Sequence, residues 1–177
     1  MGSEFSEDLW IVQNVKLPEK GYYVDLGCAW PVQFSNTAFL RNRGWRGLCV
    51  DGNPIYAQHW KGVEEFTCCL LGDGNPVLFD PNGVPELSRV GSGIITPTIR
   101  LCDLVANQTR IDFLSVDLEG HEFEALRHFD FQKFRPQVIV AEYSTHGIGE
   151  DFRVRDMIVE LGYQVRFQSK ANLIYTT

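Results

Sequence analysis

Tyr22-Tyr23-Val24-Asp25-Leu26-Gly27 is an apolar run that stops at Asp-x-Gly, and one helix and one strand later the chain reads Asp51-Gly52-Asn53-Pro54. A strand ending in a tight glycine turn, followed by a second strand ending in an acid, is the front of an α/β nucleoside pocket. Glycine lets the backbone turn close to a ligand, and the second carboxylate lies where ribose hydroxyls need an acceptor. On this pattern Asp25, Gly27 and Asp51 are the first candidate binding residues.

Working outward, Ser6 to Leu17 has apolar residues at helical spacing and leads to Pro18. The spacing predicts a helix over Pro31 to Arg43, stopped by Gly44, then strands over Gly47–Val50 and Phe66–Leu71. Residues Gly72 to Pro97 are rich in Gly, Pro, Asn and Asp and read as loops, with a short strand near Val77–Phe79. A helix is expected over Thr98–Val105, a strand over Asp112–Val116 and a helix over His121–Arg127. Pro136–Glu142 contains Val-Ile-Val-Ala, the continuous run of a strand buried on both faces. Phe152–Leu161 reads as a helix, and Tyr163–Phe167 with Asn172–Tyr175 as a closing antiparallel hairpin. The expected architecture is three-layered and Rossmann-like: a seven-stranded, mostly parallel sheet with helices on both faces and a C-terminal antiparallel hairpin.

The 177 residues suit one domain. Met1-Gly2-Ser3-Glu4-Phe5 reads as a remnant of two cloning sites, which leaves 6–177 as a single domain. The net charge of −7 argues against duplex nucleic acid as the main partner, since phosphate binding leaves a basic footprint. The Arg41/Arg43 and Arg153/Arg155 pairs are expected on solvated helix faces. No apolar run reaches membrane-spanning length, so a cytoplasmic location is expected. Five cysteines, with Cys49, Cys68 and Cys69 inside apolar runs, read as reduced and buried rather than as a disulfide framework or a zinc site.

In a doubly wound sheet, ligands bind at the carboxyl ends of the strands where the strand order reverses. The polar residues expected there are Asp25 and Gly27, Asp51 and Asn53, Asp117 and Glu119, and Glu142. Any one of them alone could be a helix cap or a loop carboxylate; their convergence favours a site. Dinucleotide cofactors need G-x-G-x-x-G, but the turn here is Gly27-Cys28-Ala29-Trp30-Pro31-Val32, and Trp30 would crowd a diphosphate. No Gly-Lys-Ser/Thr of a P-loop occurs. A nucleoside without a phosphate chain remains, and S-adenosylmethionine is the obvious one. Oxygen-rich Asp117, Glu119 and His121 could suit Mg²⁺, but their spacing does not force them onto one centre, so no metal is assigned.

Three blocks then resemble the FkbM-type methyltransferase domain family. They are Val24–Gly27 with Phe34-Ser35-Asn36-Thr37, Gly44-Trp45-Arg46-Gly47-Leu48-Cys49-Val50-Asp51-Gly52-Asn53-Pro54, and Ile111–Glu122, which is similar to the family's Asp-x-Glu-Gly-x-Glu block. Thr98–Leu104 resembles a short Thr-x-x-Leu-x-Asp-Leu stretch. The resemblance spans about Gly21 to Tyr143 and implies an S-adenosylmethionine-dependent O-methyltransferase acting on a small molecule or sugar hydroxyl. It implies that the turn of Asp25, Gly27, Cys28 and Ala29 touches the methionine part, that Asn36 also binds the cofactor, that Asp51 holds the ribose and Asn53 lies near the adenosine, and that Asp117 lies near the transferable methyl. Glu119, His121 and Glu142 are the candidate base or substrate-orienting residues; His121 could equally be an exposed first-turn residue. The chain departs from the family at Trp30-Pro31, where an acid and a glycine are common, and at Asp51-Gly52, where Glu-Pro is usual. A methyltransferase-like scaffold without activity and a nucleotide-dependent oxidoreductase are the alternatives. The acceptor loops would be Gly72–Pro97 and Thr145–Asp151, and the short chain leaves an oligomer or partner domain to complete the pocket.

Overall fold

The computed structural model describes residues 2–63, 65–81, 88, 90–145 and 147–177. Seven strands form one sheet: β1 Tyr22–Leu26, β2 Arg46–Asp51, β3 Glu65–Cys68, β4 Phe113–Val116, β5 Val138–Glu142, β6 Gln164–Gln168 and β7 Asn172–Thr176. Their order is β3-β2-β1-β4-β5-β7-β6. The first five are parallel, and β7 runs antiparallel to both β5 and β6. The order reverses between β1 and β4, so a crevice opens at their carboxyl ends.

Strand alternation sorts the core into two layers. Val24, Leu26, Val50, Leu114, Val116 and Ile139 face one side, against Leu101 of α3 (Leu101–Leu104), Leu126 of α4 (Glu122–Leu126) and Ile158 of α5 (Arg153–Glu160). Tyr23, Cys49, Phe113, Val140 and Ile174 face the other. There they meet Ile11 of α1 (Glu7–Asn14), Leu40 of α2 (Ala38–Asn42) and Tyr56 of the 3-10 helix Pro54–His59. All five residues of β5 are buried, as its uninterrupted apolar run requires.

Three segments differ from the sequence expectation. Residues 31–37 are not helical, and α2 begins only at Ala38. The buried Asp25 carboxylate takes the Thr37 hydroxyl at 2.6 Å, while Ser35 Oγ accepts from the amides of Thr37 and Ala38 at 3.2 and 3.1 Å. Satisfying a buried acid therefore outweighs one extra helical turn. The Phe66–Leu71 run divides, because Leu70–Leu71 leaves the main sheet to pair with Thr98–Ile99. That pairing takes Thr98–Ile99 out of the helix expected over Thr98–Val105, which starts at Leu101. The Val77–Phe79 strand forms as expected, paired with Ile94–Thr96. Arg41 is not on a solvated face: it donates to Thr37, lies over the Trp60 ring at 5.0 Å and reaches the Pro31 carbonyl. Cys49 is buried as expected, but Cys68 is exposed and Cys69 only half-buried; all five cysteines are free.

Gly27 is the least replaceable residue of the framework. Its φ is +76°, and a Cβ there would lie 1.6 Å from the Asp117 carbonyl oxygen. Gly27→Ala is expected to lower stability by about 3 kcal/mol or more, read as a fall in the urea midpoint, whereas Gly44→Ala, with open space around it, should cost only about 1 kcal/mol of left-handed strain.

Candidate active site

Two loops clasp each other at the switch point. The amides of Gly27 and Cys28 both donate to the Val50 carbonyl, at 2.8 and 3.1 Å, and the Asp117 amide donates to Leu26 at 2.9 Å. Ala29, at φ +41°, donates its amide to Asp51 Oδ2 at 2.9 Å, and the Asn53 amide reaches Asp51 Oδ1 at 2.8 Å. The Trp60 indole N–H donates to the Ala29 carbonyl at 2.8 Å. Trp30, expected to crowd the turn, packs its ring edge-on to Tyr56 and against His59, at centroid distances of 5.3 and 4.4 Å. Gly27, Ala29 and Asp117 form a wall shared by two cavities.

The first cavity is mainly apolar, with Leu70, Leu71, Phe79 and Tyr56 among its walls and Asp51 among its lining residues. Burial raises the Asp51 pKa to about 6, against the opposing effect of the Asn53 and Ala29 amides. His121 also lines this cavity. Burial lowers its pKa, against the raising effect of the Glu124 and Glu122 charges and of a hydrogen bond to the Leu71 backbone. Its Nε2 is buried without a partner. With one ring N–H given to Leu71, Nε2 is left as a lone-pair acceptor.

The second cavity is acidic and includes Asp25, Asn36, Ser115, Asp117, Glu142 and Asn172. Strand register explains the gathering. Asp25 pairs with Ser115, Ser115 with Val140 and Asn172 with Glu142, so all these residues share the sheet face of Tyr23, Phe113 and Val140 at its polar end. The Asn36 amide donates to Ser115 Oγ at 3.3 Å. Burial raises the Asp25 pKa, with the Thr37 hydroxyl, the Arg41 charge and Ser115 opposing it. Burial, reinforced by repulsion from Asp117, Glu122 and Glu119, lifts Glu142 to about 10 despite the Thr145 hydroxyl bound at 2.9 Å. Asp117 is likewise pushed well above the carboxylate range, first by burial and then by Glu119, Glu122, Asp25 and Glu4. Glu4 and Phe5, read from the sequence as lying outside the domain, border this cavity.

Of the candidate residues, Asp25, Gly27, Cys28, Ala29, Asn36, Asp117 and Glu142 thus line the acidic cavity, and Asp51 and His121 the apolar one. Asn53 lines neither: its side chain accepts from the Ile55 amide and donates to the Pro81 carbonyl and Ser88 Oγ, pinning a border of the apolar cavity. Glu119 lines neither as well, at a left-handed φ of +54°. His121 is half-buried rather than an exposed first-turn residue. Asp117 groups with Glu122 and Glu142, one oxygen of each within 4.8 Å of the others. Sequence reasoning missed Glu122, whose Oε1 takes the amides of Leu118 and Gly120 at 2.7 and 3.1 Å, although it closes the Asp-x-Glu-Gly-x-Glu block. It also missed Asn172, a polar residue opening an apolar strand.

No helix among the described residues is long and apolar enough to cross a membrane. No curated protein matches the sequence. Among solved structures, the methyltransferase FkbM of Methylobacillus flagellatus KT superposes with a TM-score of 0.64 at 13% identity, over 93% of this chain and 45% of that one. The chain thus spans less than half the length of that protein. A precorrin 8W decarboxylase of Methanobacterium thermoautotrophicum gives 0.57 at 15% identity, over 96% of this chain and 88% of that one. A TehB-like SAM-dependent methyltransferase of Corynebacterium glutamicum gives 0.56 at 14% identity, over 99% and 89%. At such identities these likenesses speak to the fold, that of S-adenosylmethionine-dependent methyltransferases. The Methyltransferase FkbM domain profile matches residues 52–165, well over half of the sequence, and the chain belongs to the FkbM methyltransferase domain family.

Proposed function

We propose that this chain transfers a methyl group from S-adenosylmethionine to an oxygen of a small molecule or sugar hydroxyl. The observation that carries the reading is the pair of cavities meeting at Gly27, Ala29 and Asp117, one apolar with a carboxylate and the other acidic. The adenosine would take the apolar side, with Leu70, Leu71 and Phe79 around the base and Asp51 accepting from the ribose. Both Asp51 oxygens hold one amide each, which leaves lone pairs for two hydroxyl donors. His121 Nε2 suits the exocyclic amine of adenine, so its role on this reading is cofactor recognition rather than base catalysis.

The methionine part would lie along Gly27, Cys28 and Ala29, with Asp25, Asn36 and Asp117 near its polar end. When bound, the cofactor supplies an electrophilic methyl on a sulfonium. The chain's own contribution is to hold the acceptor oxygen in line and to keep water away. Of the candidate bases Glu119, His121 and Glu142, only Glu142 borders the side where an acceptor would enter, which supports it as the group that orients the acceptor.

Calorimetric titration should show heat with both S-adenosylmethionine and S-adenosylhomocysteine, and Asp51→Ala should weaken binding by about tenfold to a hundredfold. No heat with either ligand would leave the inactive scaffold as the better reading, and heat with a dinucleotide instead would favour an oxidoreductase. Because the ionised Asp51 is the acceptor and its pKa is raised to about 6, affinity should hold above neutral pH and decline as pH falls through that value. Asp25, Cys28 and Cys68 neighbour this carboxylate, and Asp117 and His121 share its cavity. Asp51→Asn should therefore flatten the decline if Asp51 is its source. His121→Phe should erase the preference for the adenine cofactor over its deaminated analogue, measured by competition.

A further inference from the structure

Three carboxylates from separate elements converge beside the acidic cavity, which Asp117 and Glu142 line. Asp117 follows β4, Glu122 opens α4 and Glu142 ends β5, and one oxygen of each lies within 4.8 Å of the others. Acidic residues cluster for many reasons, and the deciding atom here is a neutral one. Asn172 stands opposite Glu142 in the β7–β5 register, lines the same cavity and is only 5% exposed.

Its Nδ2 donates to Glu7 Oε1 at 2.9 Å. Glu7 is fully buried and also accepts the Ser169 hydroxyl at 2.6 Å and the Phe5 amide at 3.0 Å. The NH₂ of Asn172 therefore faces Glu7, whose Oε1 accepts from it and from the Ser169 hydroxyl. Asn172 Oδ1 is thereby held away from Glu7, buried and without a donor. An orphaned buried carbonyl opposite Glu142, in the cavity that Asp117 and Glu142 line, suits a positively charged occupant. Among the described residues lining the cavity there is no lysine, arginine or histidine to supply one.

We propose that Asp117, Glu122, Glu142 and Asn172 Oδ1 form a binding site for a divalent, oxygen-seeking cation. Glu122 uses Oε1 to hold the Leu118–Gly120 turn and turns its other oxygen to the cation. Ligands on opposite sides of Ca²⁺ lie up to about 5 Å apart and those across Mg²⁺ about 4 Å. The 4.8 Å spread thus takes a Ca²⁺-sized ion as it stands and Mn²⁺ or Mg²⁺ after slight contraction. An all-oxygen donor set, with no sulfur or imidazole, disfavours zinc. Burial and, after it, repulsion from neighbouring carboxylates raise the pKa values of Asp117 and Glu142, and a dication would offset that repulsion. Its open coordination positions would hold an acceptor hydroxyl and make that hydroxyl more acidic.

The inference rests on the donor atoms and not on the identity of the cofactor, so it is tested without cofactor. Mn²⁺ is titrated into the metal-stripped full chain and followed by electron paramagnetic resonance and calorimetry. The expected result is about one Mn²⁺ per chain, displaced by Ca²⁺, with affinity falling about tenfold or more in Glu142→Gln and Asp117→Asn. Both substitutions keep side-chain shape, so they stay informative if Asn172→Leu, expected to weaken binding as well, fails to fold. Absence of Mn²⁺ binding, or binding that both isosteric variants leave unchanged, overturns the proposal. So does a cluster that binds no Mn²⁺ while Glu142→Gln abolishes S-adenosylmethionine binding, which would assign these oxygens to the cofactor's ammonium group. S-adenosylmethionine titrated in parallel separates failure of the metal site from failure of the methyltransferase reading.

Discussion

The approach of the Gly27 backbone to the Asp117 carbonyl sets the geometry of everything around it. Only a residue without a side chain can lie there, with a Cβ position 1.6 Å from a carbonyl oxygen. That contact brings the loop after β1 against the loop after β4, and the Asp117 amide completes it by bonding Leu26. The same turn hands the Ala29 amide to Asp51, so the end of β2 is fixed by the conformation of the chain after β1. Ala29, Phe34 and Glu119 hold left-handed φ values in these two loops, at about 1–3 kcal/mol each. Strain of that size persists where surrounding packing over-determines the backbone.

The acidic cavity is a consequence of pleat parity. One sheet face is apolar through Tyr23, Phe113, Val140 and Ile174, then becomes polar at its carboxyl end through Asp25, Ser115, Glu142 and Asn172. Each buried acid there has some local relief: Thr37 and Arg41 for Asp25, Thr145 for Glu142, and two amides for Glu122. The relief is complete enough for the fold and incomplete for the charge, since Asp25, Asp117 and Glu142 all stay above the ordinary carboxylate range. Retained destabilisation of this kind marks functional sites more often than structural ones.

How much of this was legible depended on whether a feature was local. Tyr22–Leu26 and Val138–Glu142 announce themselves because strand periodicity and a doubly buried run are properties of neighbouring residues. The class of fold and the convergence of acids at strand ends follow from the same information. The loop at 31–37 was not legible, since Pro31 and the apolar spacing favour a helix, and only the long-range need of Asp25 for Thr37 unwinds it. The branching of Leu70–Leu71 away from β3 was hidden likewise, because its partner Thr98–Ile99 lies far along the chain. His121 and Asn172 illustrate the remaining limit. Their residue types are visible, but an acceptor atom left unbonded is defined by what the other end of the side chain touches, Leu71 in one case and Glu7 in the other.

The shared wall of Gly27, Ala29 and Asp117 has a thermodynamic meaning of its own. Two cavities lined in part by the same three residues can influence each other's filling. A guest that straightens the turn from one side alters the surface presented to the other, and linkage requires the effect to be equal in both directions. On the proposed methyl-transfer reading, occupancy of the one cavity would be felt in the other through the backbone at Gly27.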